Sequence, residues 1–195
     1  MNLPLILGSQ SPRRKEILGF FSIPFTQAIS GFDEEAVPFQ GDPVSYVKTL
    51  SEGKSAALAL HYPDSVILTA DTVVYQNGKI FNKPANDAEA LQMLDGFVGS
   101  WQSVFTSITV RQGAKVFTEV EETKVLFNTP SKEQLRHYHK KLHSADFAGG
   151  YGVQMAGSLI INRIEGCFYN IMGLPINTLS RTLAKVDIDL WCYLK

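Results

Sequence analysis

Residues 65–75 read SVILTADTVVY, a nearly continuous run of apolar and β-branched side chains. A run of this kind is typical of a buried strand. Asn77 and Gly78 follow it and predict a tight turn, from which residues 79–81 return as a second strand. Asp71 is the one charged residue in the run. Because burial of an unpaired carboxylate is unfavourable, Asp71 indicates either a partner cation or metal ion, or a strand end that faces solvent.

On either side of this run, strand-like and helix-like segments alternate along the chain. The strand-like segments are residues 3–7, 24–29, 65–75, 79–81, 104–110, 116–127 and 159–164. Helix starts are predicted where capping residues or proline precede apolar residues at helical spacing, at Ser11, Asp42, Asn86 or Asp87, Ser131 and Pro175. With an antiparallel portion over residues 101–128, the pattern predicts an α/β fold with a mixed, elongated central sheet flanked by helices.

Composition argues against several classes of protein. With 195 residues, of which 45% are hydrophobic and 19% charged, the chain can bury a substantial core. Its formal net charge of −1 provides no basic field for nucleic acid, and no apolar stretch approaches the roughly 20 residues of a membrane span. Cys167 and Cys192 lack a metal-binding spacing, and no charged segment precedes the apolar N-terminus as in a signal peptide. We therefore expect a cytoplasmic protein with reduced cysteines.

Residues 9–14 read SQSPRR and combine hydroxyl groups, a predicted helix start and two arginines. Backbone N–H groups at a helix start favour anions, and the planar fork of arginine fits phosphate oxygens. The segment therefore predicts a triphosphate-binding loop, with an ordinary capped helix as the alternative. Lys54 and Lys83 are further candidate phosphate ligands, although each taken singly is typical of a solvated lysine.

Two further segments carry groups suited to a nucleotide. Residues 33–35 read DEE and could ligate a hard cation or form a solvated acidic loop. Residues 148–154 read AGGYGVQ, in which the glycines allow close approach of the backbone, Tyr151 could stack and Gln154 could bond a base edge; a flexible turn is the alternative. The Gly-Lys-Ser/Thr ending of a P-loop is absent. Residues 170–175, NIMGLP, are interpreted as a structural signal for the start of a helix. The four histidines are interpreted as surface residues.

The order and spacing of these motifs resemble the Maf family of nucleoside triphosphate pyrophosphatases over about residues 5–183. The matching motifs are SQSPRR at 9–14, an acidic pair near 34, ADTVV at 70–74, KP at 83–84, AGGYGVQ at 148–154 and GLP at 173–175. The resemblance implies a single Maf-like domain over residues 1–195, with two lobes around a cleft as in the inosine triphosphate pyrophosphatases. It also implies hydrolysis between the α and β phosphates, a Mg²⁺ or Mn²⁺ requirement, a cytoplasmic location and a homodimer.

The resemblance assigns roles to individual residues. Phosphate-binding positions match Ser9, Arg13, Arg14, Lys54 and Lys83, of which the two lysines are also counted as catalytic. The catalytic and metal-binding carboxylates match Glu34 and Asp71, with Asp33 and Glu35 as neighbouring alternatives to Glu34. Positions tied to base recognition match Thr72 and Gln154. The mechanistic hypothesis is that Asp71, directly or through the metal ion, positions and deprotonates the attacking water.

Subfamily motifs favour dTTP and UTP as substrates, because the chain carries Arg13, ADT at 70–72 and YGVQ at 151–154. The subfamily that prefers 7-methyl-GTP resembles Ser-Pro-Trp-Arg and Ser-Asp-Gln instead and lacks the last element. The chain departs from the family pattern at Gln102, Phe147 and Met155, where histidine, lysine and glycine are usual. Two alternatives stay open: a Maf enzyme acting on 7-methyl-GTP or other modified nucleotides, and a nucleotide-binding regulator of septum formation in cell division.

Overall fold

The computed structural model describes residues 4–142 and 147–195 of the chain. Its strands are β1 (Leu5–Gly8), β2 (Phe25–Gln27), β3 (Val66–Gln76), β4 (Lys79–Phe81), β5 (Trp101–Gln112), β6 (Lys115–Phe127) and β7 (Ile161–Glu165). Its α-helices are α1 (Pro12–Leu18), α2 (Pro43–Ala59), α3 (Asp87–Phe97), α4 (Lys132–Leu142), α5 (Phe168–Ile171) and α6 (Ile176–Ala184). Short 3₁₀ helices cover Ala148–Gly150, Met155–Leu159 and Leu190–Tyr193. Within the described ranges, no helix combines the length and the apolar character needed to cross a membrane.

The strands form one mixed sheet with the order β2-β1-β3-β5-β6-β7, and β4 pairs with β3. β1 is parallel to β2 and β3, whereas the other pairs are antiparallel. β3, β5 and β6 are 11, 12 and 13 residues long, so the centre of the sheet is elongated. The predicted α/β fold with a mixed, elongated central sheet is therefore confirmed.

Successive residues of β3 belong to two different cores, because side chains alternate between the faces of a strand. Val73 packs with Val47 and Leu50 of α2 in a small cluster on one face. Val74 belongs to the larger cluster, which also contains residues of α1, α3, β5 and α6. Helices therefore cover both faces of the sheet, which explains why the run at 65–75 is almost entirely apolar.

One edge of β3 is open in its middle. β1 pairs with β3 from Val66 to Thr69, and β4 pairs with it from Val74 to Gln76. No described strand pairs with residues 70–73 on this edge, while β5 pairs with them on the other. The opening separates the β1–β2 part of the sheet from the β3–β4 hairpin, and a cleft of about 710 Å³ lies there. This arrangement agrees with the expected two lobes around a cleft.

Several local predictions are confirmed by hydrogen bonds. The carboxylate of Asp42 accepts from two backbone N–H groups in the first turn of α2. Ser131 and Gln134 each accept from the other's backbone N–H, as a capping box does. Asn77 and Gly78 both have positive φ, as the tight turn between β3 and β4 requires. These contacts fix element boundaries where the sequence carries specific capping or turn residues.

The predicted strands near both ends of the chain are partly wrong. β2 covers only residues 25–27 of the predicted 24–29. The last strand begins at Ile161, because residues 155–159 form a 3₁₀ helix before it. Both segments are short and apolar, and periodicity alone does not separate a short strand from a turn of helix.

The expectation that all histidines lie at the surface is wrong for His139. Its side chain is buried, and Nε2 lies 3.0 Å from Oδ1 of Asp87 at the start of α3. The face of α4 that carries His139 packs against α3, which a single sequence does not reveal. The helix predicted to end near His143 is described as far as Leu142, and His143 lies outside the described residues.

Candidate functional site

The cleft collects residues from segments that are distant in sequence. Its lining includes eight of the nine predicted site residues, namely Ser9, Arg13, Arg14, Glu34, Lys54, Asp71, Thr72 and Lys83. Because β1 runs parallel to β3 and ends at Gly8, opposite Thr69, the loop at Ser9 emerges beside the open part of β3. This is the carboxyl end of a parallel strand pair, where open α/β sheets bind ligands.

The guanidinium group of Arg14 is held by three hydrogen bonds. It donates from Nε to the carbonyl of Gly173 (2.8 Å), from Nη1 to Ser9 Oγ (3.1 Å) and from Nη2 to Thr72 Oγ1 (3.0 Å). An arginine has five N–H groups, so in the described structure one N–H on each terminal nitrogen remains for a ligand. Desolvation lowers the pKa of Arg14, while the negative charge of Asp71 opposes the shift. Arg14 is therefore a prepositioned fork suited to phosphate oxygens.

Lys54 joins two carboxylates that come from different segments. Its Nζ lies 2.7 Å from Glu34 Oε2 and 2.7 Å from Asp71 Oδ1. Lys54 and Asp71 are buried on α2 and β3, whereas Glu34 is exposed in the loop after β2. Each buried charge contacts an opposite charge, which offsets the unfavourable desolvation of both. In the described structure Glu34, rather than Asp33 or Glu35, is the acidic-loop residue that pairs with Lys54.

The carboxyl group of Asp71 has the character of a proton acceptor. Burial raises the pKa of Asp71 above its ordinary value of 3.8, and the charge of Glu34 adds to the rise. Lys54 and Arg14 oppose it, but desolvation is the larger effect. A carboxylate with a raised pKa accepts a proton more readily, which is the property that a general base needs.

The segment at 170–175 contributes directly to the site, so its interpretation as a signal for the start of a helix is incomplete. Gly173 has a φ of +96° and accepts the hydrogen bond from Arg14 Nε. A Cβ at this position would lie 3.1 Å from Thr72 Oγ1 and 3.3 Å from Arg14 Nε. The positive φ therefore favours glycine, and a Cβ would require the Thr72 or Arg14 side chain to shift by a few tenths of an ångström. The glycine before Leu174 and Pro175 was the only local signal of this role.

Phe147 replaces the lysine that is usual in the Maf family, and it forms part of the cleft wall. The guanidinium carbon of Arg13 lies 4.3 Å from the centroid of the Phe147 ring, a cation–π distance. On another side of the ring, a Cβ at Gly152 would come within 2.9 Å of a Phe147 ring carbon. The ring therefore fits because residue 152 has no side chain.

Seven of the residues that line the cleft fall into two groups that differ in local structure. The cleft floor consists of residues on helices and strands, Arg14, Lys54, Asp71 and Thr72. The cleft rim consists of residues outside regular elements, Glu34, Lys83 and Phe147. Glu34 and Lys83 are exposed, whereas Lys54 and Asp71 are buried.

Gln154 is the predicted site residue that is not among those lining the cleft. It directly precedes the 3₁₀ helix at 155–159, whose first residue is Met155. Tyr151 does line the cleft, but its ring is buried edge-on against Phe97 and Phe127. Gln102, another departure from the family pattern, is buried on β5. The glycines predict close approach of the backbone to a ligand, and in the structure Gly149 and Gly150 are buried. The glycine-rich sequence did not show which side chains reach the cleft.

The donor set suits a divalent ion that is bound together with substrate. Among residues 4–142 and 147–195, no group of three or more His, Cys, Asp or Glu side chains could hold a metal ion. Glu34 and Asp71 nevertheless bring two carboxylates onto one atom, Lys54 Nζ. One or two carboxylates are the usual protein share of a Mg²⁺ site, whose other ligands are waters and substrate phosphates. The two residues therefore fit Mg²⁺ or Mn²⁺ in the presence of a triphosphate.

Comparisons with known proteins find relatives that are named as nucleotide pyrophosphatases. A sequence model described as Maf-like protein matches residues 4–186. A Chlamydia felis protein named dTTP/UTP pyrophosphatase is 48% identical over 195 residues, which is the full length of both chains. A protein of the same name from Chlamydia trachomatis serovar D is 43% identical over both full lengths. A Chlamydia pneumoniae protein named nucleoside triphosphate pyrophosphatase is 42% identical, with 99% of each chain covered.

Proposed function

Because the chain belongs to the Maf-like protein family, we propose that it is a nucleoside triphosphate pyrophosphatase acting on dTTP and UTP. The observation that carries this proposal is the contact of Lys54 Nζ with both Glu34 and Asp71 inside a cleft lined by arginines. A protein that only binds nucleotide needs the cations, whereas the buried carboxylate of Asp71 is explained most simply by water activation. The printed names of the relatives support dTTP and UTP as substrates.

In this proposal the triphosphate is bound chiefly by charge and by positioned donors. Ser9 and the remaining N–H groups of Arg14 contact phosphate oxygens, with Arg13 and Lys83 adding positive charge from the cleft wall and rim. Phosphoryl transfer asks little covalent chemistry of the protein, so such positioning and electrostatic stabilisation provide most of the rate acceleration.

The reacting water is activated by Asp71. Its carboxylate accepts a proton from the water, whose oxygen forms a bond to the α-phosphorus as the bond from that phosphorus to the bridging oxygen breaks. The bridging oxygen keeps the electron pair and leaves as part of pyrophosphate, and the other product is the nucleoside monophosphate. Lys54 holds the carboxylate of Asp71 in place and keeps Glu34 beside it.

Glu34 and Asp71 are also the residues that would hold Mg²⁺ or Mn²⁺. When bound, such an ion neutralises charge on the phosphates and helps pyrophosphate to leave. The fit of this two-carboxylate set to a substrate-bound ion supports the assignment.

The proposal also covers recognition of the base, the domain organisation, the cellular location and the oligomeric state of the protein. Thr72 and Gln154 are assigned to base recognition, and Thr72 lines the cleft. We assign residues 1–195 to a single domain that acts in the cytoplasm as a homodimer, and we expect binding to neither nucleic acid nor membranes. The net charge of −1 supports the first of these two exclusions.

The decisive experiment measures pyrophosphate release from dTTP, UTP, CTP, ATP, GTP and 7-methyl-GTP, with and without Mg²⁺ or Mn²⁺. We expect metal-dependent release that is fastest with dTTP or UTP. Asp71→Asn should lower turnover about a thousandfold, because it removes the general base while keeping a similar shape. Asp64→Asn is the matched control, since Asp64 is exposed just before β3 and is not among the residues that line the cleft.

Each outcome separates the candidate functions. Near-wild-type turnover by Asp71→Asn would remove Asp71 from the role of base. Release led by 7-methyl-GTP would keep the chemistry and discard dTTP and UTP. Absence of release from every nucleotide, in a folded protein that still binds UTP, would favour the nucleotide-binding regulator.

A further inference from the structure

A chain of hydroxyl groups runs from the cleft into the core. Thr72 Oγ1 lies 2.9 Å from Oγ1 of Thr106, the residue directly opposite it on β5. Thr106 Oγ1 in turn lies 2.9 Å from the carbonyl oxygen of Asn170. Thr106 is fully buried, whereas Thr72 is partly exposed and lines the cleft. This series of hydrogen-bonded hydroxyl groups therefore extends from the protein interior to the cleft.

The direction of each hydrogen bond in this series of hydroxyl groups follows from the carbonyl oxygen of Asn170. A carbonyl oxygen only accepts, so the single proton of the Thr106 hydroxyl is donated to Asn170. Thr106 Oγ1 must then accept from Thr72, which uses the only proton of the Thr72 hydroxyl. Arg14 Nη2 donates to Thr72 Oγ1 and occupies one of its two lone pairs. Toward a ligand, Thr72 consequently offers one lone pair and no proton.

A hydroxyl oxygen that can only accept a hydrogen bond restricts which groups of a ligand can bind to it. Phosphate oxygens of a nucleotide are themselves acceptors at neutral pH, so they are unsuitable partners for Thr72. A partner must carry an N–H or O–H group. Uracil and thymine have an N–H at ring position 3, whereas cytosine has an unprotonated acceptor nitrogen there and carries its N–H groups on the exocyclic amine at position 4. A pure acceptor that faces ring position 3 therefore bonds uracil and thymine and not cytosine.

The surroundings of Thr72 suit a nucleobase. Val74 lies two residues along β3 on the same face, and Val104 is directly opposite Val74 on β5. Both valines line the cleft, as does Met172 from the turn after α5. A mostly apolar wall with one oriented polar group is typical of a site for a flat heterocycle. The guanidinium group of Arg14 bridges the Thr72 hydroxyl and Ser9 Oγ, and so links this wall to the phosphate-binding loop.

We propose that Thr106 is a positioning residue for base selection, which fixes Thr72 as a pure acceptor and thereby favours the imide of uracil and thymine over cytosine. The inference rests on the proposed function for its substrate and names a residue that determines its specificity. Thr106 does not contact the nucleotide itself, because it is fully buried behind Thr72.

The test compares UTP with CTP in Thr106→Val. Valine keeps the shape of threonine but removes the hydroxyl, so the proton of Thr72 is released and can be donated to the acceptor nitrogen of cytosine. We expect the UTP-to-CTP ratio of kcat/KM to fall about tenfold. Titration with the products UMP and CMP should show the same change in the ratio of dissociation constants, which loss of stability alone would not produce.

Three variants serve as controls. Thr106→Ser retains the hydroxyl and should retain both ratios. Thr182→Val removes another fully buried hydroxyl that donates to a backbone carbonyl, on α6 and outside the cleft lining, and should also leave the ratios unchanged. If Thr106→Val does not fold, Thr106→Ala tests the same release of the Thr72 proton.

The outcomes distinguish this inference from the proposed function. A wild-type protein that hydrolyses no nucleotide would contradict the proposed function, and the UMP and CMP titrations would still decide the role of Thr106. Ratios within twofold of wild type in a folded Thr106→Val variant would overturn the inference, as would equal ratios in the valine and serine variants.

Discussion

The cleft floor and the cleft rim are built in different ways. On the floor, Lys54 and Asp71 are buried and in contact, and Arg14 is bonded to three separate segments. On the rim, Glu34 and Lys83 are exposed in irregular segments, and Phe147 is held by packing on Arg13. Floor side chains are therefore positioned before substrate arrives, and on the rim Glu34 shares this property through its contact with Lys54.

The difference predicts which substitutions affect turnover and which affect substrate binding. A prepositioned charge in a poorly hydrated site contributes strongly to a reaction, because little reorganisation is needed when charge develops. An exposed charge is screened by water and salt and contributes less. Substitutions on the floor should consequently affect turnover, and substitutions of the rim residues Lys83 and Phe147 should mainly affect substrate binding.

The largest effect is expected for Lys54→Met on the floor. It leaves the carboxylates of Glu34 and Asp71 facing each other without their shared cation. We expect kcat to fall about a thousandfold and the free energy of unfolding to fall by about 3 kcal/mol, because breaking a buried ion pair is strongly destabilising. Steady-state kinetics and chemical denaturation measure the two quantities.

Lys48→Met is the matched control for this prediction. Lys48 lies on the same helix, has a side chain that is 51% exposed, and pairs with Glu52 at 4.0 Å. Its loss should change the free energy of unfolding by less than about 0.5 kcal/mol and leave kcat unchanged. Similar losses of kcat in the two variants would contradict the distinction between floor and surface.

An intermediate effect is expected for Gly173→Ala, which disturbs the floor without removing a charge. The added methyl would lie 3.1 Å from Thr72 Oγ1 and 3.3 Å from Arg14 Nε, at a φ of +96°. We expect the free energy of unfolding to fall by about 1–2 kcal/mol from backbone strain. Displacement of Arg14 should also raise the KM for UTP about tenfold.

Gly78→Ala is the control that separates the effect of backbone strain from the effect of displacing Arg14. Gly78 has a φ of +80°, but a Cβ there would meet no atom within 4 Å. The control should therefore lose similar stability and keep the KM of the wild type. A normal KM in Gly173→Ala would show that Gly173 serves the backbone turn alone.

The smallest effect is expected for Phe147→Leu on the rim. Leucine keeps an apolar side chain but removes the ring that lies 4.3 Å from the Arg13 guanidinium carbon. A cation–π contact between partly exposed side chains contributes about 0.5–1 kcal/mol, so we expect the KM for UTP to rise about threefold with little change in kcat. Phe147→Tyr retains the ring and should behave as wild type. Equal KM values in the leucine and tyrosine variants would show that the ring itself is unimportant.

Several features of the floor could be predicted from the chain alone. Asp71 was recognisable because it is a charged residue in an otherwise apolar strand, and the family motifs located Lys54 and Arg14. Thr106 gave no local signal, since a threonine in a strand is common. The covering of the Phe147 ring by Arg13 and its fit beside Gly152 also depend on residues that are distant in sequence.

The sequence predicted most of the strands and helices, several of their caps and most of the charged residues that line the cleft. It could do so because strand and helix periodicity, capping and turn chemistry act over a few neighbouring residues. The three-dimensional structure was needed to show that β1 and β4 leave residues 70–73 of β3 open, and that Arg14 contacts Thr72 across 58 positions of the chain. Such contacts depend on how strands pair and how helices cover them. That pairing is a property of the whole packed core, which no short segment of sequence contains.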